Sequence, residues 1–184
     1  MGRKEEEEVR VRLGLAVKIL SGGMSPALVP GSGSNIGYAL PGARTGGDVA
    51  EVVGGIVRQG RGVRPAGDLA FGAGGGVARV ILTAMRTDPR IRSAAEIHFS
   101  PAILAVLDDL LLEICEFDRS REPPGVSTME WGVAFCCWDG VPDAIFDRGT
   151  PKKEPLIRLF GEEPVAVAQT IISVSNRLPQ DSGE

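Results

Sequence analysis

The chain has 184 residues and a formal net charge of −4 at pH 7, and 43% of its residues are hydrophobic. This hydrophobic content is typical of a globular domain with its own core, and it argues against a disordered chain. The negative charge argues against a nucleic-acid-binding protein, and no apolar run reaches the roughly 20 residues that a membrane span needs.

We expect a single domain over residues 1–184, with its core between about 9 and 176 and frayed ends. The N-terminal run 1–8 (MGRKEEEE) is too acidic for a signal peptide, so the expected compartment is the cytoplasm. The three cysteines, at positions 115, 136 and 137, form neither a disulfide framework nor a spaced metal set. For Cys136 and Cys137, the neighbours Phe135 and Trp138 favour buried thiols.

Hydrophobic spacing and turn residues predict alternating helices and strands. In chain order these are a helix over 5–20, a strand over 35–40, a short helix over 48–53, a hairpin of 56–58 with 62–64, a helix over 77–87, a strand over 95–99, a helix over 102–112, a strand over 113–117, a helix over 127–138, strands over 144–146 and 156–160, and a closing helix over 163–176. The alternation predicts a three-layer α/β/α sandwich with a mixed sheet. Ligands of such sheets usually bind at loops that follow the strands.

Two glycine-rich segments are candidates for binding an anion through main-chain N–H groups. In the first, Ser34 and Asn35 stand immediately before a short apolar run that Pro41-Gly42 closes. In the second, Gly74-Gly75-Gly76 opens the helix over 77–87, which carries Arg79 in its first turn. A tight turn that packs the helix on the sheet explains the second segment about equally well. The second segment lacks the context of a dinucleotide fingerprint or a P-loop.

A polar cluster opens the predicted helix over 127–138. Ser127 and Glu130 fit a capping box, which satisfies N–H groups at the helix start, and composition alone favours this structural explanation. The alternative is that Ser127, Thr128 and Glu130 hold a heteroaromatic ring. A carboxylate is a strong hydrogen-bond partner for an aminopyrimidine.

Charged residues follow two of the predicted strands. Asp118-Arg119 and Asp147-Arg148 would most simply form surface ion pairs, yet two such pairs at matching strand ends also suit a site for Mg²⁺ and pyrophosphate. Lys153 and Arg158 are candidates for phosphate contact. The single histidine, His98, is interpreted as a core or edge residue rather than a catalytic one.

Six segments in a fixed order carry a more specific signal. They are 33–43 (GSNIGYALPGA), 77–85 (VARVILTAM), 117–119 (FDR), 127–132 (STMEWG), 142–149 (PDAIFDRG) and 153–158 (KEPLIR). Together they resemble the archaeal-type thiamine phosphate synthase domain, the ThiN family. The resemblance extends from about residue 9 to 172, which is nearly the whole chain.

The resemblance implies a class II aldolase-like (AraD-like) fold, in agreement with the predicted layers. It implies a transferase that condenses hydroxymethylpyrimidine diphosphate with hydroxyethylthiazole phosphate, giving thiamine phosphate and pyrophosphate. It also implies Mg²⁺ as the ion that neutralises the leaving group, and phosphorylated thiamine precursors as the partners. No nucleic acid or membrane is expected to bind. The helix over 5–20 and the C-terminal helix are candidate faces for a homodimer.

Each implied role falls on a position of this chain. Arg79 and Glu130 would be catalytic, with Arg79 receiving pyrophosphate beside the glycine amides and Glu130 orienting the pyrimidine. Asp118 and Asp147 would hold the metal. The substrate- and phosphate-binding residues would be Ser34, Asn35, Gly74, Gly75, Gly76, Ser127, Thr128, Asp147, Arg148, Lys153, Glu154 and Arg158.

The chain departs from the family pattern at two places. Gly74-Gly75-Gly76 stands where the family has Ser-Ser-His, and residues 96–99 read Glu-Ile-His-Phe where it has Asn-Ile-Arg-Tyr. The first change keeps main-chain donors but removes an imidazole. A non-catalytic, thiamine phosphate-binding sensor domain of the same family is therefore the alternative to the synthase, beside a degenerate domain that binds ligand without turnover.

Overall fold

The computed structural model describes residues 2–126 and 128–179, and only the main chain of Thr128 and Met129. The helices are α1 (Gly2–Gly23), α2 (Gly76–Thr87), α3 (Pro101–Asp109), α4 (Thr128–Cys136) and α5 (Pro164–Arg177). The strands are β1 (Asn35–Ala39), β2 (Val49–Val52), β3 (Ile56–Gln59), β4 (Gly62–Pro65), β5 (Leu69–Phe71), β6 (Ser93–His98), β7 (Ile114–Glu116), β8 (Ala144–Phe146) and β9 (Leu156–Gly161).

In the described part of the chain, seven strands form one sheet in the order β5-β2-β1-β6-β9-β8-β7. Its neighbours are antiparallel except β7 and β8, which are parallel. The hairpin of β3 and β4 forms a separate two-stranded sheet. The prediction of a mixed sheet is therefore confirmed.

Helices cover both faces of the large sheet. Buried residues of α1, α3 and α5 pack on one face, where Leu13, Leu107 and Ile171 have no exposed surface. Residues of α2 and α4 pack on the other, where Ile81 and Val133 are equally buried. This arrangement is the predicted three-layer sandwich.

The predicted short helix over 48–53 is wrong, because most of this segment is the buried strand β2. A single 3₁₀ turn, Gly46–Asp48, precedes this strand in the chain. The Asp48 carboxylate accepts hydrogen bonds from the main-chain N–H groups of Arg44 and Thr45, which lowers its pKa. These hydrogen bonds close a single turn, and the apolar residues that follow enter the sheet.

The cysteine interpretation needs one correction. Cys115 of β7 and Cys136 of α4 form a disulfide, whereas the sequence predicted no disulfide framework and a buried thiol at Cys136. Cys137 is a buried thiol as expected, and burial raises its pKa to about 11.

The helices that were candidate dimer faces pack against each other inside the protein. Val9, Leu13 and Leu20 of α1 belong to the same core as Ile171 of α5. No helix of the described residues is long and apolar enough to cross a membrane.

Candidate functional site

An open groove of about 690 Å³ lies beside α2 and α4. We call it the arginine groove, because Arg44, Arg79 and Arg86 line it together with Glu130. The volume falls in the range of about 300–1,000 Å³ that small-molecule sites occupy. Three cations in a cleft of this size favour an anionic ligand.

Helical spacing explains how α2 presents its part of the groove. Arg79, Thr83 and Arg86 are four and three residues apart, so they share one face of α2. The opposite face, which includes Ile81, is buried against the sheet. Arg79 and Glu130, the two residues predicted to be catalytic, therefore line one cavity although they come from different helices.

The N-terminus of α2 already holds a carboxylate. The main-chain N–H groups of Gly75 and Ala78 donate to the two Glu51 oxygens at 2.9 and 2.7 Å. A Cβ atom at Gly75 would lie 2.6 Å from Glu51 Oε2, so a side chain at this position requires the Glu51 carboxylate to shift. Of the three glycines predicted to receive pyrophosphate, Gly75 therefore has its N–H group bound to an internal carboxylate. The pyrophosphate role of Gly74-Gly75-Gly76 stays a prediction.

The side chains of Ser34 and Asn35 are used within the sheet. The Ser34 hydroxyl donates to the main-chain oxygen of Glu96, and the Asn35 amide donates to the main-chain oxygen of Val52 at 3.0 Å. Asn35 Oδ1 accepts from the main-chain N–H groups of Ile36 and Val52. These hydrogen bonds join β1 to its neighbours, and the phosphate contacts of both residues stay a prediction.

A second polar feature runs across the sheet face beneath α2 and α4. We call it the buried polar row and define it by its members: Glu51, Arg119, Asp147 and Arg158, which are buried, and Glu96 and His98, which are half-buried. Strand register places Glu96 directly opposite Arg158. His98 lies two residues along from Glu96, so its side chain projects to the same face.

Asp147 neutralises two arginines at one end of the row. Its Oδ2 accepts a hydrogen bond from Arg158 Nη1 at 2.9 Å. Its Oδ1 lies 2.9 Å from Arg119 Nε and forms an ion pair with it, but the angle does not meet the criterion for a hydrogen bond. Asp147 and Arg158 have no exposed side-chain surface. Burial lowers the pKa of Arg119, and Asp147 opposes that effect.

The predicted metal ligands do not fit a metal in this arrangement. Both oxygens of Asp147 face arginines, and one also accepts from the Gly149 N–H. The Asp118 carboxylate instead accepts from the N–H and hydroxyl of Ser120. Among the described residues, no group of three or more His, Cys, Asp or Glu could hold a metal ion.

Glu96 and His98 differ from Asp147 because they lack partners at buried atoms. Glu96 Oε1, His98 Nδ1, and Nε and Nη2 of Arg158 are all buried without a hydrogen bond. Burial raises the pKa of Glu96, and Glu51 adds to that effect while Arg158 and Arg119 oppose it. Burial also raises the pKa of Glu51, against its two backbone hydrogen bonds.

The remaining predicted residues lie in or beside the loops at this end of the sheet. Arg148 donates to Glu116 at 2.7 Å and lies over the ring of Phe146. Glu154 accepts from the N–H groups of Gly31 and Ser32, which ties two loops together. Lys153 is exposed. The roles predicted for Ser127 and for the Thr128 side chain fall outside the described residues.

The sequence reasoning missed Glu51 and Glu96. A usable signal existed, since each is a glutamate inside an apolar strand segment, VAEVV at 49–53 and AAEIH at 94–98. Charged side chains at such positions are rarely buried unless they have a partner or a function.

The comparisons with known proteins agree with one another. A family model described as "Thiamine-phosphate synthase ThiN" matches residues 12–173. The bifunctional thiamine biosynthesis protein ThiDN of Methanocaldococcus jannaschii is 38% identical over 169 residues, which cover 90% of this chain and 40% of that protein. The thiamine-phosphate synthase ThiN of Methanothermobacter thermautotrophicus is 34% identical over 165 residues, covering 85% of this chain and 86% of that one. The chain thus spans less than half of the bifunctional relative.

Solved structures extend the similarity to the fold. The C-terminal domain of a phosphomethylpyrimidine kinase superposes with a TM-score of 0.86 at 32% identity, covering 92% of this chain and all of that one. An aldolase II superfamily protein from Pseudomonas syringae superposes with a TM-score of 0.54 at 11% identity, covering 94% and 75%. The second match shows the fold alone, and it confirms the class II aldolase-like architecture.

Proposed function

Since the chain belongs to the thiamine-phosphate synthase ThiN family, we propose that the arginine groove binds the phosphorylated substrates of that synthase reaction. The family resemblance seen in the sequence is confirmed by the match over residues 12–173. The names of the relatives favour the transferase over the non-catalytic sensor.

One observation supports this proposal above the others: Arg79 and Glu130 line the same cavity with Arg44 and Arg86. Guanidinium groups bind phosphate oxygens with two parallel hydrogen bonds, so three of them can hold a diphosphate. The groove would hold the two substrates together and so reduce the entropic cost of their encounter.

The reaction places specific demands on these groups. The bond between the pyrimidine methylene carbon and the diphosphate oxygen breaks, and its electron pair leaves with pyrophosphate. The thiazole nitrogen then donates its lone pair to that carbon, which forms the new C–N bond and the thiazolium cation. Arg79 would stabilise the negative charge that develops on the leaving group, and Glu130 would lie beside the cationic half.

Magnesium remains a proposal that comes from the family resemblance. When bound, such an ion would neutralise diphosphate charge. The Asp147 oxygens that could have held it face arginines, so the residues present do not fit that role. The phosphate-binding role therefore falls to the arginines. A homodimer also remains a proposal.

The test is to incubate the protein with both substrates and to measure pyrophosphate release and thiamine phosphate. We expect turnover by the wild-type protein and its loss in Arg79→Ala, with unchanged thermal unfolding because Arg79 is exposed. Arg61→Ala, an exposed arginine in the turn between β3 and β4, is the matched control. Wild-type turnover in Arg79→Ala would refute the role of Arg79. Tight binding of thiamine phosphate without release of pyrophosphate would support the sensor instead.

A further inference from the structure

Three neighbouring side chains of the buried polar row share an unusual property. Glu96 Oε1, His98 Nδ1, and Nε and Nη2 of Arg158 are buried, yet none has a hydrogen-bond partner. Glu96 and Arg158 face each other across β6 and β9, and His98 lies on the same face. Buried polar atoms are nearly always paired, and a cluster that lacks partners calls for an explanation.

The chemistry of these atoms indicates which ligand they suit. Nε and Nη2 of Arg158 form a donor pair on one edge of the guanidinium, whereas an ionised Glu96 is an acceptor. A nitrogen heterocycle with an exocyclic amine presents the complementary acceptor and donor along one edge. A simple phosphate presents only acceptors, so it would leave Glu96 unpaired.

Charge also favours a heterocycle over an anion. Around this cluster, the three carboxyl groups of Glu51, Glu96 and Asp147 outnumber the two guanidinium groups of Arg119 and Arg158. The formal sum is −3 + 2, or −1, with His98 neutral. An additional phosphate would be repelled, whereas a ring that gains positive charge as its leaving group departs would be stabilised.

Aromatic rings lie beside the same arginine. The Arg158 guanidinium lies 5.4 Å from the centroid of the Phe117 ring. Trp131 of α4 meets Phe117 edge to face, with 6.2 Å between centroids. Such rings provide the apolar walls that a flat heterocycle needs.

We propose that Glu96 and Arg158 recognise the aminopyrimidine half of the substrate, with Glu96 as the specificity-determining carboxylate. This inference rests on the proposed function. It assigns the ring to the buried polar row rather than to Glu130, which the sequence predicted would orient the pyrimidine, while the phosphates stay in the arginine groove.

The decisive experiment uses a probe without phosphate. Binding of 4-amino-5-hydroxymethyl-2-methylpyrimidine to the full chain is measured by calorimetry, so that the arginine groove makes no contribution. We expect the wild-type protein to bind it and Glu96→Gln to bind at least about 10-fold more weakly, because a hydrogen bond to a charged group is lost. Glu6→Gln, an exposed residue of α1, is the matched control and should bind like the wild type.

A second variant and a second readout separate recognition from folding. Arg158→Lys keeps a cation beside Asp147 but loses the Nε–Nη2 edge, so ring binding should weaken while thermal unfolding shows a folded protein. In turnover assays, wild-type activity should fall as the pH drops and Glu96 takes up a proton, and Glu96→Gln should lack this decline. The groups that face Glu96 and act on it are Glu51, Arg119 and Arg158.

Two results would overturn the inference: no binding of the ring to the wild-type protein, or equal binding to Glu96→Gln. Neither depends on turnover, so pyrophosphate release in the first assay can stand while this inference fails. Loss of wild-type turnover together with intact ring binding would instead remove the proposed synthase function.

Discussion

The arginine groove and the buried polar row hold cations in opposite ways. Arg79 and Arg86 are exposed at the groove, and no carboxylate of the described residues forms a salt bridge with them. Arg158 has no exposed surface and is neutralised by Asp147. A solvated cation is available to an incoming phosphate, whereas a buried, paired cation has most of its charge already balanced.

This difference shows why a count of basic residues does not locate a phosphate site. Arg79 and Arg158 both stood among the residues expected to contact phosphate, yet only Arg79 lies in an open cavity. Arg158 contributes two unused donors whose direction is fixed by the ion pair with Asp147. The row is therefore suited to orienting a ligand, and the groove to attracting one.

The largest loss of stability is expected when Asp147, which pairs with two arginines of the buried polar row, loses its charge. Asp147→Asn would leave Arg119 and Arg158 without a balancing charge, and loss of one partner of a buried ion pair costs about 3–5 kcal/mol. Urea unfolding should show this loss in the free energy of unfolding. Asp118→Asn, at an exposed ion pair with Arg121, is the control and should change stability little. Equal stability of both variants would contradict the structural role of Asp147.

A smaller effect is expected where α4, which carries Glu130 to the groove, is tied to the sheet. The Cys115–Cys136 disulfide joins residues 21 apart in the chain. Closing a loop of this size stabilises a protein by about 3 kcal/mol. Reduction with dithiothreitol should therefore lower the urea midpoint of the wild-type protein. The double variant Cys115→Ser/Cys136→Ser should have this lowered urea midpoint both with and without reductant. A wild-type midpoint that does not change on addition of reductant would contradict the presence of the disulfide.

At the arginine groove, Arg44→Ala and Arg86→Ala test whether these two exposed arginines contribute to phosphate binding along with Arg79. Each should raise KM for the diphosphate substrate about 10-fold, because one charge-assisted contact is lost. The measurement is steady-state kinetics at low salt. Added salt should reduce the difference in KM between each variant and the wild type. An unchanged KM in both variants would restrict the phosphate site to Arg79.

The sequence predicted what depends on local periodicity and missed what depends on pairing across the sheet. The spacing of apolar residues in α2 predicted its buried face, and with it the exposure of Arg79. Nothing local indicated that Glu51 of β2 would occupy the start of α2, since 24 residues separate Glu51 from Gly75. The same limit applies to Cys115 and Cys136, because a pairing of cysteines is fixed by strand and helix packing.

The smallest expected effect is a pH-dependent change in stability that comes from the carboxyl group of Glu96 in the buried polar row. Burial raises the pKa of Glu96 above its ordinary value of 4.5, so the folded protein binds this proton more tightly than the unfolded chain does. The wild-type protein therefore loses stability as the pH rises from about 4.5 through the folded pKa, where ionisation of a desolvated group opposes folding. Glutamine cannot ionise, so Glu96→Gln escapes this loss.

The measurement is the difference in melting temperature between Glu96→Gln and the wild type across pH 4–8. The difference should shift in favour of the variant as the pH rises through the folded pKa of Glu96. Groups common to both proteins cancel in this difference. A flat difference would mean that Glu96 ionises in the folded protein as it does in the unfolded chain. Its carboxylate would then be as well satisfied as Asp147, and the contrast between the unpaired and the paired end of the row would disappear.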